Sequence, residues 1–260
     1  MIPKVVHYCW LSDESIPGNL QSYIDGWKRL MPDYEFKWWN KQVFDIHSVK
    51  WVEQAYENKK WAFAADYIRA YALYTEGGFY LDSDVLLNKR LDKFLRYGFV
   101  SSIEYNPSCR DIIRHGIDKN ANRNDKSHYL PGLGIQAAII GGKPQNPFLK
   151  DLMDYYNERT FIKDDGSFDM LPAPMIYMLL LEKYGIKYMD KTQTLKDSIK
   201  IFNSGVFSSI ATCKFTSTAI HMEAGSWVEQ KHKSSNCIKE LLRNSLFIRK
   251  LTNQFGLRSL

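Results

Sequence analysis

Apolar and polar positions along this chain switch between two periods, and the switches lay out its elements. Val5 to Trp10 is a run of β-branched and aromatic residues after Pro3, which reads as a buried strand. Leu20, Tyr23, Ile24, Trp27 and Leu30 then recur at helical spacing, predicting a helix to about Met31 that stops before Pro32. "EFKWW" reads as a second strand ending at Asn40. Helices are predicted over Val49 to Asn58 and Trp61 to Glu76. In the second, Ala62, Ala65, Ile68 with Arg69, and Ala72 with Leu73 line one face, and small residues there let a helix lie close to a sheet. Gly77 and Gly78 end it, since a helix C-terminus favours residues that tolerate positive φ. Phe79 to Leu81 predicts the next strand, with Val85 to Leu87 resuming it.

Beyond Leu91 the pattern predicts a short helix, a strand around Phe99 and a polar loop from Asn106 to Tyr129. That loop is long for a compact domain and reads as a binding lid. A strand over Gly134 to Ile140, a helix after Pro147, the turn-rich "DDGSFD" and a helix over Ala173 to Tyr184 follow, with short strands near Lys187, Ile201 and Ala219. Strands interleaved with helices specify an α/β fold around a mainly parallel central sheet. The chain divides into one α/β domain over residues 1–232 and a basic helical tail over 233–260.

Composition narrows this picture. At 260 residues the chain can bury a substantial core, and its 45% hydrophobic and 25% charged content is that of a folded protein. A net charge of +6 suits an anionic partner: a phosphate-bearing substrate, an acidic membrane face or nucleic acid. Cys9, Cys109, Cys213 and Cys237 form no CxxC pair, which argues against a zinc or disulfide framework and for a reducing, cytoplasmic setting. "MIPKVVHYCW" is interrupted too soon for a signal peptide, and the longest apolar runs, such as Met175 to Leu181, are too short to span a bilayer.

The chemistry concentrates in "YTEGGFYLDSDV", Tyr74 to Val85. Residues i and i+2 on a strand share a face, so Asp82 and Asp84 are expected to point at one spot and Ser83 away. Two carboxylates there form a hard-oxygen site for Mn²⁺ or Mg²⁺, which keep coordination positions open for phosphate oxygens. In open α/β sheets ligands bind beyond the carboxyl ends of strands, where this pair falls. A bare DxD arises often by chance; its place after an apolar strand and a Gly-Gly turn gives it weight. Asp66 and Arg69, at i and i+3 on the Ala-rich helix, are neighbours on a face that reads as buried, and could hold sugar hydroxyls and a phosphate.

Together "IPKVVHYCW", "WAFAADYIRAYALYTEGGFYLDSDV" and "HMEAGSW" resemble glycosyltransferase family 32, the capsular-polysaccharide and mannosyltransferase-like sugar transferases. A more distant similarity runs to the glucosylating bacterial toxins. The resemblance is dense over the first ~100 residues, and the central block is its specific part. It implies a GT-A type nucleotide-sugar-binding fold and a retaining transfer of a hexose from a UDP- or GDP-linked donor to a saccharide. Asp84 would ligate the metal directly and Asp82 would reach the metal shell or the ribose. Trp10 would stack on the donor base, with Cys9 adding backbone contacts. Asp66 and Arg69 would bind the donor sugar, and together with Asp84 form the catalytic set. His221 would be a further metal ligand, and Ser226 and Trp227 would donate to the β-phosphate. In the toxins that serine and tryptophan are two apart, whereas here they are adjacent. Gln136, in "GIQAAIIGG", would present its amide to the sugar or acceptor. No carboxylate is evident beneath an anomeric carbon, which favours same-face attack over double displacement.

From Lys233 to Leu260 basic residues outnumber acids, with Ile238, Leu241, Leu242, Leu246 and Ile248 giving an incomplete apolar face. This reads as a helix packed on the core, or as a peripheral anchor to the anionic inner face of the cytoplasmic membrane, useful for a lipid-linked acceptor in capsule or surface-polysaccharide assembly. Two rivals remain at this level. One is a metal-dependent nucleotide-sugar hydrolase on the same fold; the other is a basic nucleic-acid-binding protein, against which stands the absence of a recognition module and of interleaved aromatic and basic residues.

Overall fold

A computed structural model describes residues 1–224, 250 and 253. The anticipated tail helix lies outside the described residues, as do Ser226 and Trp227. Eleven strands and six α-helices are present among the described residues: β1 (Val5–Cys9), α1 (Gly18–Leu30), β2 (Glu35–Trp39), α2 (Lys50–Glu57), α3 (Trp61–Thr75), β3 (Gly78–Leu81), β4 (Val85–Leu87), β5 (Phe99–Tyr105), α4 (Arg110–Gly116), β6 (Leu133–Ile135), β7 (Ile139–Gly142), α5 (Pro147–Asn157), α6 (Ala173–Leu181), β8 (Gln193–Thr194), β9 (Ile199–Phe202), β10 (Phe207–Ser209) and β11 (Ala219–His221).

The central sheet runs β2-β1-β3-β7-β5-β9-β8, with β6 pairing off β5. Strands β2, β1, β3, β5 and β9 all run one way, and β7 and β8 oppose them. The antiparallel β7 sits between β3 and β5, so the start of β7 reaches the same sheet edge as the ends of β1, β3 and β5. A second, small sheet orders β10-β11-β4. It brings β11, from late in the chain, beside the strand that follows the two aspartates.

Two apolar clusters pack on opposite faces of the large sheet. One joins Trp51, Val52, Phe63, Ile68 and Leu73 of α2 and α3 to Phe148, Tyr156, Tyr177 and Leu181 of α5 and α6. The other joins Ile24 and Trp27 of α1 to Val6, Phe79, Val85, Phe207 and Ala219. Trp27 is fully buried and its indole N–H donates to the Val85 carbonyl at 2.8 Å, which ties α1 to the exit of the aspartate turn.

The Gly-Gly pair solves a packing problem. Gly77 and Gly78 have φ of +70° and +116°, and a Cβ on Gly78 would lie 2.6 Å from the Val5 carbonyl oxygen. Only glycine turns the chain this sharply while letting β3 close on β1. His7 secures the same junction: its buried Nε2 bonds the Gly77 carbonyl at 2.8 Å, and its Nδ1 accepts the Trp39 indole N–H at 3.0 Å. With both nitrogens used, the ring is neutral, and burial lowers its pKa further.

Four segments differ from the sequence expectation. The strand foreseen over Gly134 to Ile140 is two strands, β6 and β7, broken where Gln136 bonds back to its own chain. Residues 106–129 contain α4 rather than being loop throughout, and no strand forms at Lys187. In the fourth, Asp82 and Asp84 are not on a strand: β3 ends at Leu81 and a turn closes with the Val85 N–H on the Asp82 carbonyl at 3.0 Å. Ser83 is nonetheless buried. No helix among the described residues is long and apolar enough to cross a membrane.

Candidate active site

Helix α3 supplies the first part of the site. Asp66 and Arg69 fall one turn apart on its buried face, with 6% and 4% of their surface exposed. The Arg69 guanidinium lies 3.1 Å from Asp66 Oδ1 and 3.4 Å from Asp82 Oδ1, donates to the Ala137 carbonyl at 2.8 Å and sits 4.9 Å over the Tyr80 ring. It thereby joins α3, the end of β3 and the bend before β7. Burial opposes its charge, but Asp82 and Asp66 outweigh burial and hold it protonated. Burial dominates at Asp66, raising its pKa to about 7 against the pull of Arg69, with Asp82 adding to the rise. The electropositive neighbourhood that holds Asp82 is thus a buried arginine.

The second part converges from distant segments. Asp84 is 8% exposed; its Oδ2 accepts the Ala224 N–H at 2.9 Å, its Oδ1 lies 3.4 Å from His221 Nε2, and its carbonyl accepts the Met222 N–H at 3.1 Å. Strand pairing sets this up, since His221 is opposite Val85 in the antiparallel β4–β11 ladder. Burial works against the Asp84 charge, yet the hydrogen bond and charge of His221, with the Ala224 N–H, keep the carboxyl below its usual range. Burial likewise works against the imidazolium, but Asp84, then Asp82 and Glu104, raise His221 to about 9.

One ligand atom each from Asp82, Asp84 and His221 lies within 4.8 Å of the others. Two carboxylates and an imidazole around one point fit a divalent cation of the Mn²⁺ or Mg²⁺ type, with His221 giving up its proton on binding. The other such group among the described residues, His47, Glu53 and Glu57, is largely exposed, and its Glu53 is already bonded to His47 and Lys50.

The other anticipated residues among those described, Cys9, Trp10 and Gln136, line the same sheet edge. Trp10 follows the last residue of β1, partly exposed, its backbone N–H on the Trp39 carbonyl and its indole N–H on the Glu14 carbonyl at 2.8 Å. Its ring is thus braced at the mouth of β1. Cys9 is buried beside Arg69 and Asp82, whose charges both act on it; burial pushes its thiol pKa far up, so its side chain is inert. Gln136 is 1% exposed; its Oε1 accepts the Ala138 N–H, while its Nε2 has no partner among the described residues. An orphaned buried donor beside the carbonyl that holds Arg69 is what a ligand's oxygen would satisfy. Two participants escaped the sequence reading, the Tyr80 ring beneath Arg69 and the Ala224 N–H on Asp84, as did the neighbouring charge of Glu104 on β5. Tyr80 was legible two residues before Asp82; the other two need the tertiary fold.

Residues 17–100 match the family model described as the glycosyltransferase sugar-binding region containing a DXD motif. An uncharacterized glycosyltransferase of Acanthamoeba polyphaga mimivirus is 27% identical over 175 residues, 64% of this chain and 59% of the relative. Inositol phosphoceramide mannosyltransferase 2 of Schizosaccharomyces pombe is 31% identical over 157 residues, 52% of this chain and 43% of the relative. The chain thus spans about half the length of these two relatives. Among solved structures, the PaToxG glycosyltransferase gives a TM-score of 0.45 at 16% identity, covering 70% of this chain and 69% of its own. A glycosyltransferase involved in the glycosylation of the major capsid of PBCV-1 gives 0.44 at 11%, covering 86% and 94%.

Sheet order and flanking helices define an α/β architecture with a mixed central sheet and the aspartate turn at the end of β3. The part of the chain that carries the aspartate turn is thus similar to the DXD-containing sugar-binding region of glycosyltransferases.

Proposed function

We propose that this chain is a metal-dependent, retaining glycosyltransferase that moves a hexose from a UDP- or GDP-linked donor to a saccharide hydroxyl. One observation carries the reading: Asp82, Asp84 and His221 converge on a single point beside the buried Asp66–Arg69 pair, within a DXD-containing region. Asp82, Asp84 and His221 would hold Mn²⁺ or Mg²⁺, which offsets charge gathering on a departing nucleoside diphosphate. Trp10, braced at the mouth of β1, offers a face for the base. Arg69 fixes the approach to Asp82 and contributes positive charge to the donor. Asp66 accepts hydrogen bonds from sugar hydroxyls, and the free Gln136 Nε2 donates one.

Of the two retaining routes, double displacement and same-face attack, this reading takes the second. Asp66, held by Arg69 and shifted toward its protonated form by burial, is a poor nucleophile. Attack then comes from the leaving-group face, the diphosphate oxygen taking the acceptor proton. The acceptor is a surface glycan under assembly, lipid-linked and met at the cytoplasmic face of a membrane, for which the net charge of +6 is suited. The relative named as an inositol phosphoceramide mannosyltransferase puts GDP-mannose and a phosphoinositol head group first among the compounds to try.

The test is turnover of UDP-glucose, UDP-galactose, UDP-N-acetylhexosamines and GDP-mannose with Mn²⁺, each with simple hexosides and a phosphoinositol acceptor, products being read by NMR for anomeric configuration. Transfer from one donor with retained configuration is expected. Release of sugar to water alone under every acceptor would replace transfer by hydrolysis, and an inverted product would remove the same-face mechanism.

A further inference from the structure

A carboxylate that the donor reading leaves unused stands on the far side of the cluster. Glu104 is near the carboxyl end of β5, on the pleat face of Ser102 two residues earlier. Ser102 Oγ accepts the Phe207 N–H at 3.0 Å, and Phe207 to Ser209 pair with Ala219 to His221, so this face of β5 looks toward His221. The charges of His221 and Glu223 both act on Glu104. Yet it makes no hydrogen bond or ion pair among the described residues, and it is not one of the three groups that converge for a metal. Glu104 is half-buried, and its carboxylate oxygens are open to accept hydrogen bonds from a ligand seated beside the cluster.

Its position along the sheet edge gives that ligand an orientation. In the order β1-β3-β7-β5, Trp10 follows β1, Asp82 follows β3, Gln136 to Ala138 precede β7, and Glu104 ends the row on β5. A donor with its base at Trp10 and its diphosphate at Asp82, Asp84 and His221 leaves Glu104 opposite the nucleoside. The segment that follows, 106–129, begins immediately beyond it and carries α4.

We propose that Glu104 binds the acceptor, its carboxylate accepting hydrogen bonds from saccharide hydroxyls held on the side of the diphosphate away from the nucleoside. This rests on the donor reading above. It makes Glu104 a specificity-determining residue for the acceptor, with no part in holding the donor.

The experiment has two arms on the full chain. In the first, UDP and GDP are titrated with Mn²⁺ into wild type, Glu104→Gln and Glu104→Asp by calorimetry. In the second, saturation-transfer NMR follows methyl α- and β-hexopyranosides on the Mn²⁺–nucleotide complexes. Glu104→Gln should keep nucleotide affinity within about twofold, which also reports an intact fold, while glycoside affinity falls about tenfold or more; Glu104→Asp should recover part of it. Glycoside binding that is unchanged in Glu104→Gln, or absent from wild type, overturns the assignment. So does a parallel loss of nucleotide binding, which would place Glu104 in the metal centre. Absence of Mn²⁺-dependent nucleotide binding in wild type is the distinct failure of the donor reading, seen before Glu104 is touched, and it takes this inference with it.

Discussion

Replacing Arg69 with Met should destabilise the fold strongly, and more so at alkaline pH. Arg69 is nearly inaccessible and answers two carboxylates, Asp66 at 3.1 Å and Asp82 at 3.4 Å. Asp82 has 27% of its side chain exposed, so water screens its loss. Asp66 has no such relief, and removing one partner of a buried pair costs about 3–5 kcal/mol. For a chain of this size that is a fall in Tm of roughly 6–20 °C. The pH dependence has a definite sign. A carboxyl whose folded pKa is raised binds a proton in the native state that the unfolded chain releases, so stability falls as pH rises from about 4 through the folded value. Without Arg69 that value rises further, and the variant's deficit should shrink at pH 5 and widen at pH 8. Urea unfolding followed by tryptophan fluorescence at both pH values measures this. Asp66→Asn combined with Arg69→Met should recover most of the loss. An Arg69→Met protein within about 1 kcal/mol of wild type at pH 8 would refute the buried-pair reasoning.

Three further outcomes are expected. Asp84→Asn should weaken Mn²⁺ binding about tenfold or more by calorimetry, because it removes one of three convergent ligands. His221, raised from 6.5 to about 9 in the metal-free protein, should contribute stability that is complete below pH 6.5 and lost as pH rises through 9; His221→Gln should flatten that limb of the metal-free stability profile. Gly78→Ala should cost about 1–3 kcal/mol in chemical denaturation, since φ is +116° and the new Cβ would meet the Val5 carbonyl oxygen at 2.6 Å.

Much of the candidate site was legible because it is local. The Ala-rich helix, the Gly-Gly stop, the apolar strand and the aspartates follow one another in "WAFAADYIRAYALYTEGGFYLDSDV", and i, i+3 spacing alone brings Asp66 to Arg69. The strand argument for Asp82 and Asp84 reached the right neighbourhood by a different geometry: they converge through a turn, with Arg69, Ala224 and His221 fixing their directions. His221 was found only through a motif, since nothing local says that β11 will pair with β4. The antiparallel β7 was hidden for the same reason, as a short apolar run carries no sign of its direction. Glu104 reads in sequence as one polar residue at the end of an apolar strand, and its place facing His221 appears only when β10 joins β5.

The central claim is that Asp82, Asp84 and His221 hold a cation that in turn holds a nucleoside diphosphate. Calorimetric titration of UDP and of GDP into the wild-type chain, with Mn²⁺ and then with EDTA, tests it most directly, with Asp84→Asn alongside. The account predicts binding of one nucleotide that requires Mn²⁺ and is lost in Asp84→Asn. Equal binding in EDTA, or undiminished binding by Asp84→Asn, would contradict it.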